Sequence, residues 1–136
     1  LRADRLELPE DASKFEYTTI HFGAVHGLAA AIEELNKIGM ENVWEHDLKL
    51  AECLIRGVEK MGVEVISPQS EAERSAIVSL RMPEGESSED IAHRLQSEFS
   101  ILVTSRSGML RISPHIDNDI GDIESFLSAL RGILQT

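Results

Sequence analysis

An arginine in the middle of a short strand, next to a helix start, can hold a carboxylate in a two-pronged grip. Arg111 has that setting, within the stretch from Ser105 to Ile123. Ser107-Gly108 is a turn signal. Met109 to Ser113 alternates, so Leu110 and Ile112 share one face while Met109, Arg111 and Ser113 share the other. Pro114 lacks a ladder donor and closes the strand. Asp119 then caps a helix, with Asp122 three residues on completing a capping-box pattern that suits the positive helix end. Read on its residues alone, Arg111 is either a carboxylate ligand or a solvated arginine on an open sheet face.

Other chemistry-bearing residues are sparse. His21, His26, His46, His93 and His115 are scattered. His21 and His26 are five apart and do not share a helical face, so no metal pair is expected. His93 reads as a helix-surface residue and His46 as packing where two helices meet. His115, two residues beyond the strand that carries Arg111, is a candidate for lining a pocket. Asp117, Asn118, Asp119 and Asp122 do not fit an EF-hand, whose glycine would fall on Asp122 and whose closing glutamate would fall on Ser128. Cys53 is the only cysteine, lies within a helical pattern and reads as a small buried hydrophobe. No nucleophile elbow and no phosphate-cradling glycine loop is present. The expectation is no catalytic residue and no metal ligand within this chain.

The elements that must position Arg111 follow from periodicity. Residues 1–21 read as an extended lead-in, with Leu6 and Leu8 alternating briefly before Pro9-Glu10-Asp11. A helix is expected over 22–38, with Val25, Leu28, Ala29, Ile32 and Leu35 as its stripe and Gly39 as its stop. After a brief Met40-Glu41-Asn42 link, a second helix runs over 43–61 with Trp44, Leu48, Ala51, Ile55 and Val58 inward; a link that short predicts an αα-hairpin. Strands are expected at 63–66, 75–82, 101–104 and 109–113, and helices from Ser87 to Glu98 and from Ile120 to Leu134. The fold class is α+β, in the order ααββαββα: a small antiparallel sheet of about four strands with helices on one face. The other sheet face carries Arg111 and several apolar residues, and is expected to meet something outside this chain.

Composition sets bounds. The 136 residues amount to one domain. The formal net charge of −11 argues against nucleic acid and against an anionic membrane as partners. No apolar run is long enough to span a bilayer. The first residue is not Met and no leader pattern opens the chain, so an excised piece of a cytoplasmic protein is expected.

Three stretches resemble class V aminotransferases, the pyridoxal-phosphate enzymes that include the cysteine desulfurases. They are Lys14-Phe15-Glu16-Tyr17-Thr18-Thr19; Ile38 to Val43 with His46 and Leu50; and Leu110-Arg111-Ile112-Ser113 with His115, Asn118 and the acidic helix start. Each is weak alone, and the three occur in the family's order. The resemblance implies that 22–136 is the C-terminal small domain of such an enzyme and that residues 1–21 lead in from a missing large N-terminal domain. It implies that Arg111 holds the α-carboxylate of a small amino acid and that Thr19 reaches the phosphate of pyridoxal 5'-phosphate across a homodimer. Thr18 departs from the family, which has glycine there. Lys14, Lys37, Lys49 and Lys60 do not match the Schiff-base lysine, so the chain alone is expected to be inactive and not to bind the cofactor. A cysteine desulfurase or selenocysteine lyase is the alternative within the family, but Ser105-Arg106-Ser107-Gly108 is short and lacks the cysteine that such enzymes carry on a mobile loop. A free-standing acidic α+β binding module is the alternative outside it.

Overall fold

A computed structural model describes residues 10–15, 20–70 and 72–135. The chain divides into two units, residues 1–38 and residues 39–136.

Among its described residues, the first unit contains a 3-10 turn, Ala12–Phe15, and the helix α1, Phe22–Ile38. The turn departs from the extended lead-in expected there. Asp11 causes it: one carboxylate oxygen accepts from the Ser13 amide at 2.9 Å and from the Ser13 hydroxyl at 2.6 Å, a local competitor to extended backbone. Helix α1 has the bounds expected from its stripe, yet none of its residues is buried.

The second unit holds the sheet. Its elements are α2 (Met40–Glu59), β1 (Glu64–Val65), β2 (Val78–Arg81), α3 (Ser88–Phe99), β3 (Thr104–Arg106), β4 (Met109–Ile112) and α4 (Ile120–Leu134). The four strands are antiparallel in the order β1-β2-β4-β3. With α1, this is the α+β order ααββαββα. Val78, Leu80, Leu110 and Ile112 are buried on one sheet face. Leu50, Leu54 and Val58 of α2, Ile91 and Leu95 of α3, and Ile123, Phe126 and Leu130 of α4 complete the same core.

Four local differences from expectation have physical causes. First, α2 begins at Met40, because Gly39, at φ +88°, interrupts the helix in one residue. Second, its buried column is Val43, Asp47, Leu50, Leu54 and Val58, while Trp44 stays 47% exposed. Two apolar columns lie side by side on α2, and Ala51 and Val58 of the expected one are buried along with the observed one.

Third, β2 starts late because serine side chains take over its early backbone groups. Ser67 Oγ donates to the Ile77 carbonyl at 3.2 Å, and Ser75 Oγ accepts from the Ile77 amide at 3.2 Å. Fourth, β3 is Thr104–Arg106 rather than residues 101–104. Ser100 ends α3 in the left-handed region at φ 58°, and the Ile101 amide still bonds to the Leu95 carbonyl at 3.0 Å. Ile101 is therefore tied to the helix end. The strand forms instead beside the turn, where Arg106 pairs with Met109 across Ser107-Gly108. Both turn residues have positive φ, 52° and 74°, the primed geometry that matches strand twist.

Helix α4 starts as expected. Asp119 Oδ1 accepts from the Asp122 amide at 3.0 Å, and Asp122 Oδ2 accepts from the Asp119 amide at 3.1 Å. Among the described residues, no helix is long and apolar enough to cross a membrane.

Candidate carboxylate site on the outer sheet face

Strand alternation fixes where Arg111 stands. Its neighbours Leu110 and Ile112 are buried in the core, so Arg111 lies on the opposite, outer face of β4. It is half-buried there. Its direct cross-strand partners are Ser79 on β2 and Thr104 on β3. Both register partners are short side chains. The Nε atom is buried and has no hydrogen-bond partner among the described residues. A buried donor without an acceptor costs about 1–3 kcal/mol, so the position favours a ligand that supplies one. A carboxylate fits, because the guanidinium edge offers two parallel donors.

His115 is tied to α2. Its Nδ1 donates to Asp47 Oδ2 at 2.7 Å, and its backbone amide donates to Asn118 Oδ1 at 3.1 Å. Asp47 lies on the sheet-facing side of α2 and is 6% exposed, whereas the His115 side chain is 53% exposed. The other Asp47 oxygen, Oδ1, is buried without a partner among the described residues. His46 Nε2 bonds to the Asn118 carbonyl at 2.9 Å, so it meets the loop before α4 rather than a helix junction. Two adjacent residues of α2 thus tie down the 115–118 loop. The structure joins His115 to Asp47; Arg111 and His115 share no bond among the described residues. Thr19 lies outside the described residues. Asp47 was missed in the sequence, although its signal is present: an acid four residues after Val43 and three before Leu50, within a core-facing column.

Three of the lysines make side-chain contacts within their own segments. Lys37 pairs with Glu34 at 2.7 Å and Lys49 with Glu45 at 3.8 Å. Lys14 lies over the Phe15 ring, and Lys60 is the C-cap residue of α2. Cys53 is half-buried against the core, in keeping with a small hydrophobe. Among the described residues no group of acids, histidines and cysteine is arranged for a metal ion. A groove of about 300 Å³ runs between Leu102, Ser113, Asn118 and Phe126, and Arg111 does not line it.

The sequence matches the family model described as Aminotransferase class-V over residues 2–126. This chain belongs to the class V aminotransferase family. A Pyrococcus abyssi (strain GE5 / Orsay) protein named "Probable cysteine desulfurase" is 26% identical over 96% of this chain and 35% of its own length. A solved cysteine desulfurase from Thermococcus onnurineus NA1 superposes with a TM-score of 0.84 at 26% identity, covering 99% of this chain and 36% of that one. The alanine–glyoxylate aminotransferase of Nostoc sp. shares the fold, with a TM-score of 0.71 at 18% identity over 91% of this chain and 34% of its own. The chain therefore spans about a third of the length of its class V relatives. Its four-stranded antiparallel sheet and helices match a small domain of pyridoxal-phosphate enzymes.

Proposed function

We propose that this chain is the C-terminal small domain of a pyridoxal-phosphate-dependent class V aminotransferase-like enzyme, and that Arg111 grips the α-carboxylate of a small amino-acid substrate. The observation that carries this reading is the buried Nε of Arg111, unpartnered among the described residues, between Ser79 and Thr104 on the sheet face turned away from α2, α3 and α4. Bound to the enzyme, the cofactor supplies an electron sink for the substrate carbon. The residues here do not fit its covalent anchor: Lys14, Lys37 and Lys49 pair with their sequence neighbours, and Lys60 stands at the end of α2. That anchor belongs to the large N-terminal domain, which is the first partner of this chain in the proposal. Thr19 contributes a hydroxyl to the cofactor phosphate within a cytoplasmic homodimer, and His115 lines the substrate side with its exposed ring edge. The chain alone is inactive.

The test is Arg111→Lys in the intact enzyme. A point charge replaces a planar fork, so kcat/KM for amino-acid substrates falls about 10- to 100-fold, the worth of one charge-assisted hydrogen bond. Thermal unfolding stays where it was. A wild-type kcat/KM in the variant removes the carboxylate role.

A cysteine desulfurase is the second reading, favoured by the names of the two relatives at 26% identity. Desulfuration needs a thiolate within reach of the substrate sulfur. Ser107-Gly108 closes the hairpin in two residues and carries no cysteine, and Cys53 sits on α2 against the core. These features favour an aminotransferase, epimerase or lyase. Sulfide release from cysteine by the intact enzyme, surviving Cys53→Ala, decides for the second reading.

A further inference from the structure

The outer sheet face is charged against the rest of the molecule. The chain carries 24 acidic residues and 13 lysines and arginines. The four strands carry three arginines and one acid, Glu64, on the edge strand β1. Glu64 is taken: its Oε2 accepts from Arg81 Nη1 at 2.6 Å, across the β1–β2 pair. Arg106 and Arg111 have no ion pair among the described residues. Both lie on this face. Arg111 pairs with Thr104, and Arg106, two residues further along β3, pairs with Met109. The neighbouring Ser105 lies on the core side, opposite Leu110, and shares a 2.8 Å hydroxyl–hydroxyl bond with buried Ser88. Arg106 and Arg111 are thus diagonal neighbours, with Cβ atoms within about 7–8 Å of each other. Two like charges at this spacing repel unless an anion lies between them or on both.

We propose that Arg106 is a specificity-determining residue that reads a second anionic group beside the carboxylate held by Arg111, so that the preferred substrates are small dicarboxylic amino acids. The inference rests on the carboxylate role of Arg111 and extends it. The spacing suits the two ends of a four-carbon diacid, each taken by one planar guanidinium. A monocarboxylic substrate engages Arg111 alone and leaves Arg106 in solvent.

The test uses this chain labelled with nitrogen-15, following the Nε–Hε signals of Arg81, Arg106 and Arg111 during titration with propionate, succinate or inorganic phosphate. Propionate is expected to move Arg111 alone. Succinate is expected to move Arg106 and Arg111 together, with roughly tenfold tighter binding, as one added ion contact gives. Arg106→Gln, at an exposed hairpin position, brings succinate back to the propionate level without disturbing the backbone spectrum. Arg81 stays unmoved throughout. Succinate binding no tighter than propionate overturns the proposal, as does a succinate gain that survives Arg106→Gln, or phosphate binding as tightly as succinate. Propionate that fails to move Arg111 overturns the carboxylate reading itself, which separates the two failures.

Discussion

Helices α1 and α2 look alike as patterns and differ as structures. Each has an apolar column at spacings of three and four, a glycine in its interior and charged residues around the rest. Helix α2 buries Val43, Leu50, Ala51, Leu54 and Val58, whereas α1 buries nothing and leaves Leu28 62% exposed. Periodicity reports which face of a helix seeks cover. It does not report whether the cover is in the same chain.

Mutations at matched positions sharpen the comparison. Leu54→Ala removes a fully buried side chain and is expected to cost about 2–5 kcal/mol in urea unfolding. Leu28→Ala is expected to stay within about 0.5 kcal/mol, as surface changes do. Equal costs would break the contrast. Asp47→Ala removes the buried acceptor of His115 and is expected to cost about 1–3 kcal/mol, whereas Glu34→Ala on α1, which loses only the exposed pair with Lys37, costs about 0.5 kcal/mol or less.

The glycines differ in sign. A Cβ at Gly57 would run into the Leu127 side chain of α4, so Gly57→Ala is expected to destabilise by about 1–2 kcal/mol, overpacking outweighing helix propensity. A Cβ at Gly27 meets nothing within 4 Å, so Gly27→Ala is expected to stabilise α1 by up to about 1 kcal/mol. Circular dichroism during thermal unfolding checks both.

The smallest effect is on α3. Its Arg94 Nε donates to Glu98 at 2.8 Å, and this bond holds the Glu98 carboxyl below the usual glutamate range. A lowered folded pKa gives stability that is present above the unfolded value and is lost as pH falls through the folded one. Arg94→Gln should therefore lower stability slightly at neutral pH and leave it unchanged below both pKa values, so that the acid limb of the stability profile flattens.

Much of the site was legible because its signals are local. The alternation of Leu110, Arg111 and Ile112 places the arginine opposite the core, and Asp119 with Asp122 marks where α4 starts. What escaped depended on partners distant in sequence. Choosing between the Trp44 and Leu54 columns needs the sheet. Asp47 gains its meaning from His115, a residue on another element. The position of β3 needs both the Ser100 helix end and the Ser107-Gly108 turn, which compete for the same segment.

The order β1-β2-β4-β3 also implies a sequence of events. The β3–β4 hairpin closes over two residues and forms on the scale of microseconds. The central β2–β4 pair joins Val78 to Ile112, so the chain between them, including all of α3, must be gathered before that ladder gains anything. The hairpin is therefore expected early and the docking of β2 late. Leu110→Ala should slow folding, while substitutions in β1 mainly speed unfolding. A β1 variant that slows folding as much as Leu110→Ala does would reverse that order.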